Sequence, residues 1–451
     1  MFLTKDRKFY RTLTSLMFGV IFQNIIAYSI NMADNLMLGS YSQASLCGAA
    51  TVNQIQFVLQ QMTLALGDSL VIIASQYWGQ KRTSEVRSLT VIALICGSFL
   101  GIILFILTSL FPVSILSLFT DDPSYIREGL AYLKIIRFTY PLYILFTILI
   151  SSLRSVEIVN VALKTSIFSL ITDVTINEIL IFGRFGFPQL GITGAAIGTL
   201  TSRILELTLV CIYLLSFDTR LQFFSHRISG ISKQMFARFF KILTPSFISN
   251  TLWSIATPIQ TSILGHLSSD AIAANSVSTT LFQYLKVITV GEASASSVFI
   301  GTLIGSDGKN KKKIKEYTVS LQWIYLFAGC FLAFVLFMIR HPFLSMYDLS
   351  SNAYQMSDQL LLVLCVVFLG MAYQMPAGVG IIKGGGDASY VLFLNVISTW
   401  LIVIPISYLA AFVWKLPVFV VVIFLNSDQI FKCIPTYIHV NRYRWIRTLT
   451  N

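Results

Sequence analysis

The sequence predicts an all-α integral membrane protein, with twelve transmembrane helices in two pseudo-symmetric six-helix lobes around a central cavity. Of its 451 residues, 55% are hydrophobic and only 12% are charged, and the mean hydropathy is +0.75. A soluble domain cannot bury that much apolar surface in one core. Because backbone groups find no water inside a bilayer, we expect helices of about 20 apolar residues as the spanning elements.

Hydropathy places these twelve spans along the chain and also orients them. An even number of spans leaves both termini on one side, and the loops on that side carry most of the bases. The positive-inside rule therefore predicts a multi-pass protein of the plasma (inner) membrane with both termini cytoplasmic. The basic side includes Lys81, Arg227, Lys309 and Arg444, and the opposite loops include Asp121, Asp122 and Asp348. The predicted spans are 14–38, 46–76, 88–111, 125–152, 160–183, 190–216, 236–265, 270–303, 314–339, 354–382, 388–413 and 416–440.

The two halves of the chain resemble each other. A polar cytoplasmic linker, 217–235, separates an N-terminal six-helix lobe, 1–216, from a C-terminal one, 236–451. At an offset of 226 residues, Gly39 falls on Gly265, and MADNLMLG (residues 32 onward) faces PIQTSILG. A duplicated bundle is typical of alternating-access transporters, whose solute site lies between the repeats. A chance echo of hydropathy is the alternative.

Several function classes are not expected. The formal charge of +12 comes from bases that lie between hydrophobic runs, so no nucleic-acid partner is predicted. The sequence has no GxxxxGK[ST] motif for ATP and no metal-ligand spacing among its histidines and cysteines. We therefore predict no enzymatic activity and no cofactor. The expected partners are small organic solutes and membrane lipid, and the chain is expected to act as a monomer.

Several motifs resemble those of the multidrug and toxic compound extrusion (MATE) antiporters, over nearly the whole chain. This resemblance implies export of organic, often cationic, solutes in exchange for Na⁺ or H⁺. In one branch, the NorM-like transporters, acids in spans seven and ten contribute to coupling, but here 244–262 of span seven has no carboxylate and 371–387 of span ten has none before the loop. Coupling is therefore expected in the N-terminal half. The motifs are Asp34 with Gly39, SQYWG (75–79), DVTINEILIFG (173–183), GITGAAIGT (191–199), and KGGGDA (383–388) with Trp400 and Pro405.

Asp34 in span one and Asp173 in span five are the predicted coupling acids. A carboxylate inside a membrane costs ~3 kcal/mol or more unless it meets a cavity, an ion or a partner. Asn177 lies one turn after Asp173 on the same helical face. Family members more often have Asn first, and the reversed order here shifts the site by about 5 Å. The oxygens suit Na⁺, and low dielectric favours protonation, so either ion is possible. The alternatives are a helix-end role for Asp34 and, for Asp173, a structural hydrogen bond or an ion pair with Arg203.

The resemblance adds two hydroxyls to this predicted cation-coupling site. Tyr140 in span four and Thr199 in span six match family positions and can each supply an oxygen. The alternative is that these hydroxyls only join helices. For Na⁺, the expected ligands are Asp34, Asp173 and Asn177, and no other metal is predicted.

Polar stripes on two spans predict the walls of the solute cavity. Hydrogen bonding between helices is the alternative for both stripes. Lys286, in span eight, is expected either to face the cavity, where it would favour anionic groups, or to pair with a carboxylate such as Glu292 or Asp68. Arg203 and Glu206, at i and i+3, are expected to neutralise each other. The stripes are Asn53, Gln56 and Gln60 in span two, and Asn250, Ser254 and Thr257 in span seven.

With what the family resemblance implies, these features predict a secondary active antiporter that exports organic, cationic, drug-like solutes in exchange for H⁺ or Na⁺. One alternative is a flippase for lipid-linked oligosaccharides or related lipids of the same superfamily, which needs several cavity-lining Arg and Lys residues. Another is a membrane receptor or scaffold without transport, in which Asp34 is dispensable.

Overall fold

The computed structural model describes residues 3–224, 230–267, 269–308, 310–347 and 349–450. Three loop charges used for the orientation, Arg227, Lys309 and Asp348, lie outside these ranges, as does part of the predicted linker. Within them the secondary structure is helical throughout. The helices are α1 (Arg7–Tyr41), α2 (Gln43–Gly79), α3 (Thr83–Leu110), α4 (Pro112–Leu116), α5 (Pro123–Ile136), α6 (Thr139–Ser155), α7 (Asn160–Phe182), α8 (Ile192–Ser216), α9 (Lys233–Gly265), α10 (Ser269–Asp307), α11 (Lys311–Leu344), α12 (Ser351–Met375), α13 (Ala388–Asn395), α14 (Ile404–Tyr408), α15 (Val418–Asn426), α16 (Asp428–Phe431) and α17 (Cys433–Arg442).

The described helices confirm the predicted all-α membrane fold. Ten helical stretches are long and apolar enough to cross a bilayer, and the bent pair α5 and α6 raises the number to eleven. Helix α9 does not belong to these eleven, yet its 33 residues reach about 50 Å at 1.5 Å per residue, which is enough to span. It corresponds to the seventh predicted span.

Several predicted spans are less regular than expected, including the eleventh, in which π-helical segments at Val396–Val403 and Leu409–Val413 alternate with α13 and α14. The span predicted at 125–152 is not one straight helix, because α5 and α6 meet at a bend of 52°. The tenth span changes at Pro376 from α12 to the π-helical segment Pro376–Lys383. Proline supplies no N–H to the helix ladder, and π-helical turns are a common way of absorbing such an interruption.

The chain divides into two compact units. The first comprises 22–74 and 81–240, and the second comprises 1–21, 75–80 and 241–451. The lobe boundaries drawn from the linker remain a prediction. In the first unit, α7 packs along α8. In the second unit, α10, α11 and α12 share an apolar core in which Leu336, Leu361 and Phe368 are fully buried.

One close approach in the first unit requires glycine. A side chain at Gly198 of α8 would overlap the side-chain oxygen of Asn177 on α7. The GITGAAIGT stretch therefore lets α8 approach α7 closely enough to cover Asn177.

Candidate cation-coupling site

The first unit brings together the three residues that the sequence predicted as a coupling site. The Asn177 side-chain nitrogen donates to Asp34 Oδ1 at 2.7 Å and to Asp173 Oδ2 at 3.0 Å. The i, i+4 spacing on α7 places Asp173 and Asn177 on one face, and Asp34 reaches the same amide from α1. Asp173 and Asn177 are fully buried, whereas Asp34 is half-buried. Two carboxyl groups are thus held within hydrogen-bonding distance of one nitrogen.

Neither carboxyl is bonded to a basic side chain in the part of the chain that the structure describes. Arg203 is near enough for its charge to act on both acids. However, its guanidinium donates to Glu206 Oε2 at 2.7 Å. The predicted neutralisation of Arg203 by Glu206 is therefore present, and the direct Asp173 to Arg203 ion pair is not. Two like charges this close repel strongly at low dielectric, so a proton or cation between them is favoured.

Helix α8 supplies hydroxyl groups to the same cluster. Ser202 Oγ donates to Asp173 Oδ1 at 3.2 Å. The Thr199 side chain interacts with Asp173 and also with the phenol of buried Tyr132. Asp173 is therefore solvated by protein hydroxyls on one side and by the amide of Asn177 on the other.

A small polar cavity adjoins these hydroxyls. Its volume is ≈ 20 Å³, which is room for about one water molecule. The Tyr140 hydroxyl is buried at this cavity and makes no hydrogen bond to any described residue. Tyr140 and Thr199 therefore line the same small cavity. The polar residues that line the cavity are Gln56, Gln60, Thr139, Tyr140, Tyr143, Thr199 and Arg203.

Two neighbours of the acids were missed in the sequence. Ser202 lies three residues after Thr199, so the helical period alone placed it on the same face of α8. Tyr132 had no comparable signal, because it precedes the bend between α5 and α6, where the sequence indicated a continuous helix.

The predicted cavity-lining residues divide into different environments. Gln56 and Gln60 line the small cavity of the first unit, whereas Asn53 lies half-buried on the same helix outside that lining. In the second unit, the Ser254 and Thr257 hydroxyls donate to carbonyls of their own helix, at 2.7 Å and 3.0 Å. These two hydroxyls therefore donate their hydrogen bonds within α9 and not to a neighbouring helix. Asn250, on the same helix, is half-buried.

The second unit places Lys286 within electrostatic range of Asp428, a carboxylate that the sequence analysis did not suggest as its partner. The Lys286 ammonium lies 5.3 Å from the ring centroid of Trp253 and interacts with the charges of Asp428 and Lys432. Asp428 and Lys432 are buried and form an ion pair of 2.7 Å. The i, i+4 spacing of Asp428 and Lys432 can be seen in the sequence. This pair was not considered when partners were suggested for Lys286 from the sequence.

The two carboxylates that the sequence analysis suggested as partners of Lys286 lie in surroundings that differ from each other. Asp68 is 4.0 Å from Arg154 in the first unit. Both carboxyl oxygens of Glu292 lack hydrogen-bond partners among the described residues.

The family model described as MatE matches two stretches of this chain, 20–179 and 245–409. The chain belongs to the MatE family. The two stretches begin at positions separated by nearly the 226-residue offset at which the halves were overlaid. The family handles small organic substrates in multidrug efflux, and its members are multi-pass membrane transporters and not enzymes.

Curated relatives and solved structures agree with this assignment. The Bacillus subtilis "Probable multidrug resistance protein YoeA" is 24% identical over 366 residues, which cover 80% of this chain and 78% of that protein. The Listeria innocua "Probable multidrug resistance protein NorM" is 23% identical over 394 residues, covering 86% and 85%. A Vibrio cholerae MATE transporter structure has a TM-score of 0.88 at 15% identity, covering 98% of both chains. A MOP superfamily transporter from Pyrococcus furiosus has a TM-score of 0.86 at 16% identity, covering 99% and 100%. At these identities the structural matches show the fold.

Proposed function

We propose that this protein is a secondary active antiporter that exports organic, cationic, drug-like solutes in exchange for H⁺ or Na⁺. It acts as a monomer surrounded by lipid in the plasma membrane, with both termini cytoplasmic. The observation that carries the proposal is the pair of acids, Asp34 and Asp173, which share one amide and lack a bonded basic partner among the described residues. The names of the curated relatives support multidrug export.

The coupling ion binds between the two carboxyl groups in this proposal. Asp34 is half-buried, so an ion can reach it, whereas Asp173 is fully buried. The side-chain oxygen of Asn177 is buried without a hydrogen bond in the described part of the chain, so it can serve as a further ligand. Binding the ion removes the repulsion between the acids and shifts the populations of the outward and inward states by differential affinity. That shift drives release of the solute.

A dye-export assay tests the role of the acid pair. Purified protein is reconstituted into liposomes and extrusion of a fluorescent organic cation is followed for wild type, Asp34→Asn and Glu178→Gln. Glu178 is the matched control, since it is an acid on α7 that pairs with Arg184. We expect Asp34→Asn to lose transport by about tenfold or more, and Glu178→Gln to keep it. Normal export by Asp34→Asn would instead support the receptor or scaffold alternative.

The same liposomes identify the coupling ion. A proton needs one carboxyl oxygen, whereas Na⁺ takes several oxygen ligands at once. Export is measured with a pH gradient in the absence of Na⁺, and with a Na⁺ gradient at equal pH on both sides. The ion whose gradient alone supports export is the coupling ion, and failure of both gradients would contradict antiport with either ion.

A second candidate function is export of an anionic solute or a lipid pyrophosphate. Lys286 and Lys432 favour it, because among the described residues Asp428 is the one carboxylate whose charge acts on both ammonium groups. The structurally similar Pyrococcus furiosus transporter has a binding pocket of reverse polarity, which suggests a different function for that protein. Lys286→Met should abolish export of an anionic dye if this candidate is right, and should leave cation export intact.

A further inference from the structure

Glu292 is a buried acid that the proposed coupling site does not use. It lies in α10 in the second unit and is 1% exposed. Neither of its carboxyl oxygens has a hydrogen-bond partner in the part of the chain that the structure describes. An ionised carboxylate without a partner is strongly disfavoured in such a place, whereas the neutral acid is much less so. The burial of Glu292 therefore favours a bound proton.

Among the described residues, no basic group is hydrogen-bonded to Glu292. A side chain at the adjacent Gly291 would overlap Ile21 of α1, so that helix covers this side. The π-helical segment approaches through Gly380, which lies against Ala293 and Ser296. Helix α11 contributes buried Tyr325, whose phenol interacts electrostatically with Glu292. Lys286 lies six residues earlier on α10 and Lys383 ends the π-helical segment, while the bases of α1 and α11 lie near the ends of those helices; none of these groups donates to the Glu292 carboxyl.

These surroundings suit a proton better than a metal cation. Na⁺ and other hard cations take several oxygen ligands. The two hydroxyls near Glu292 are occupied with each other, because the Tyr325 hydroxyl donates to Ser296 Oγ. A proton needs only one of the two free carboxyl oxygens.

Polar side chains lead from this region to the last helix of the same unit. The Tyr325 phenol lies within electrostatic range of Tyr373 of α12, and no hydrogen bond joins the two hydroxyls. The Tyr373 hydroxyl donates to Gln322 Oε1 at 2.8 Å, and the same oxygen accepts from Asn441 at 3.3 Å. Asn441 is half-buried near the end of α17. These four side chains are polar groups within an otherwise apolar core, and are here called the Tyr325 to Asn441 track; hydrogen bonds join its last three members.

We propose that Glu292 is a second proton-binding site of this transporter, which exchanges its proton along the Tyr325 to Asn441 track. The site goes beyond the coupling site at Asp34 and Asp173, and it lies in the half of the chain where no acidic coupling site was expected. Its occupancy by a proton does not depend on which solute is exported.

Infrared spectroscopy of the reconstituted full-length protein tests the proposal directly. The carbonyl stretch of a protonated carboxylic acid is compared in wild type, Glu292→Gln and Glu206→Gln at neutral pH. Glu206 is the matched control, because it is a buried glutamate in a membrane helix that is paired with Arg203. We expect Glu292→Gln to lose one protonated-carboxyl band, and Glu206→Gln to lose none. An unchanged spectrum for Glu292→Gln would overturn the proposal.

Two further variants keep the test decisive. If Glu292→Gln does not fold, Glu292→Asp retains a carboxyl and should shift the band without removing it, whereas an unshifted band contradicts the proposal. Tyr373→Phe removes one hydroxyl of the track and should slow hydrogen–deuterium exchange of the band, while an unchanged rate would remove the track from the proposal. Because the readout is a spectrum, its result is independent of dye export by Asp34→Asn, so failure here and failure of the proposed function can be told apart.

Discussion

The acid pair of the first unit and the Asp428 to Lys432 pair of the second unit differ in the residue one helical turn away. Asp173 has neutral Asn177 at i+4, and that amide is shared with a second acid, Asp34. Asp428 has Lys432 at i+4, and their charges meet at 2.7 Å. The first arrangement leaves two acids to be neutralised, whereas the second is already neutral. A buried carboxylate in a membrane helix therefore indicates an ion site only when its neighbours do not cancel its charge.

Replacing Asp173 should have the largest effect on transport. Asp173→Asn removes one of the two charges and one carboxyl ligand while keeping the shape of the side chain. We expect dye export to fall by about a hundredfold, with little change in thermal unfolding. Thr175→Ala is the matched control, because Thr175 is exposed on the same helix and its hydroxyl donates to the carbonyl of Ile171. Substantial export by Asp173→Asn would show that Asp34 alone suffices.

Breaking the ion pair of the second unit should act on stability more than on ion coupling. Lys432→Met leaves the buried Asp428 without its partner, and we expect a loss of about 3–5 kcal/mol in stability. The double variant Asp428→Asn, Lys432→Met removes both charges and should recover most of that loss. Thermal unfolding in detergent measures both. Equal stability of Lys432→Met and wild type would mean that Asp428 is compensated by another group, such as Lys286.

The sequence predicted the acid pair better than its surroundings, for physical reasons. Helical spacing fixes Asp173 and Asn177 on one face, and the cost of burying a carboxylate marks Asp34 as unusual. Periodicity within one helix does not report which residues of another helix it meets, so the contact of Asp34 with Asn177 needed the fold. The unpartnered state of Glu292 was hidden for the same reason. Tyr132 was hidden by the 52° bend that follows it, because the predicted span was drawn as continuous although Pro141 lies near the start of α6.

The contact between α7 and α8 offers a more moderate test of the acid pair. Gly198→Ala places a methyl group where the Asn177 side-chain oxygen lies, so the amide must leave its present position and its bonds to the two acids are disturbed. We expect a stability loss of about 1–3 kcal/mol and weaker export. Gly378→Ala is the control, because a methyl group there meets open space. Wild-type stability and export in Gly198→Ala would show that Asn177 can leave the acids without consequence.

Removing the Tyr140 hydroxyl should have the smallest effect and separates ion affinity from stability. The hydroxyl is buried without a hydrogen bond in the described part of the chain, so Tyr140→Phe removes a poorly solvated polar group. We expect thermal stability to stay the same or rise by up to about 1 kcal/mol, since an unsatisfied buried donor is costly. If the hydroxyl helps to hold the coupling ion through the small cavity that it shares with Thr199, the ion concentration for half-maximal export should rise several-fold.

Thr139→Val is the control, because it changes another hydroxyl of the cavity lining, one that already donates to the carbonyl of Ile136. A similar rise in both variants would assign the effect to the cavity as a whole, and no rise in Tyr140→Phe would limit the coupling ligands to the acids, Asn177 and the hydroxyls of α8.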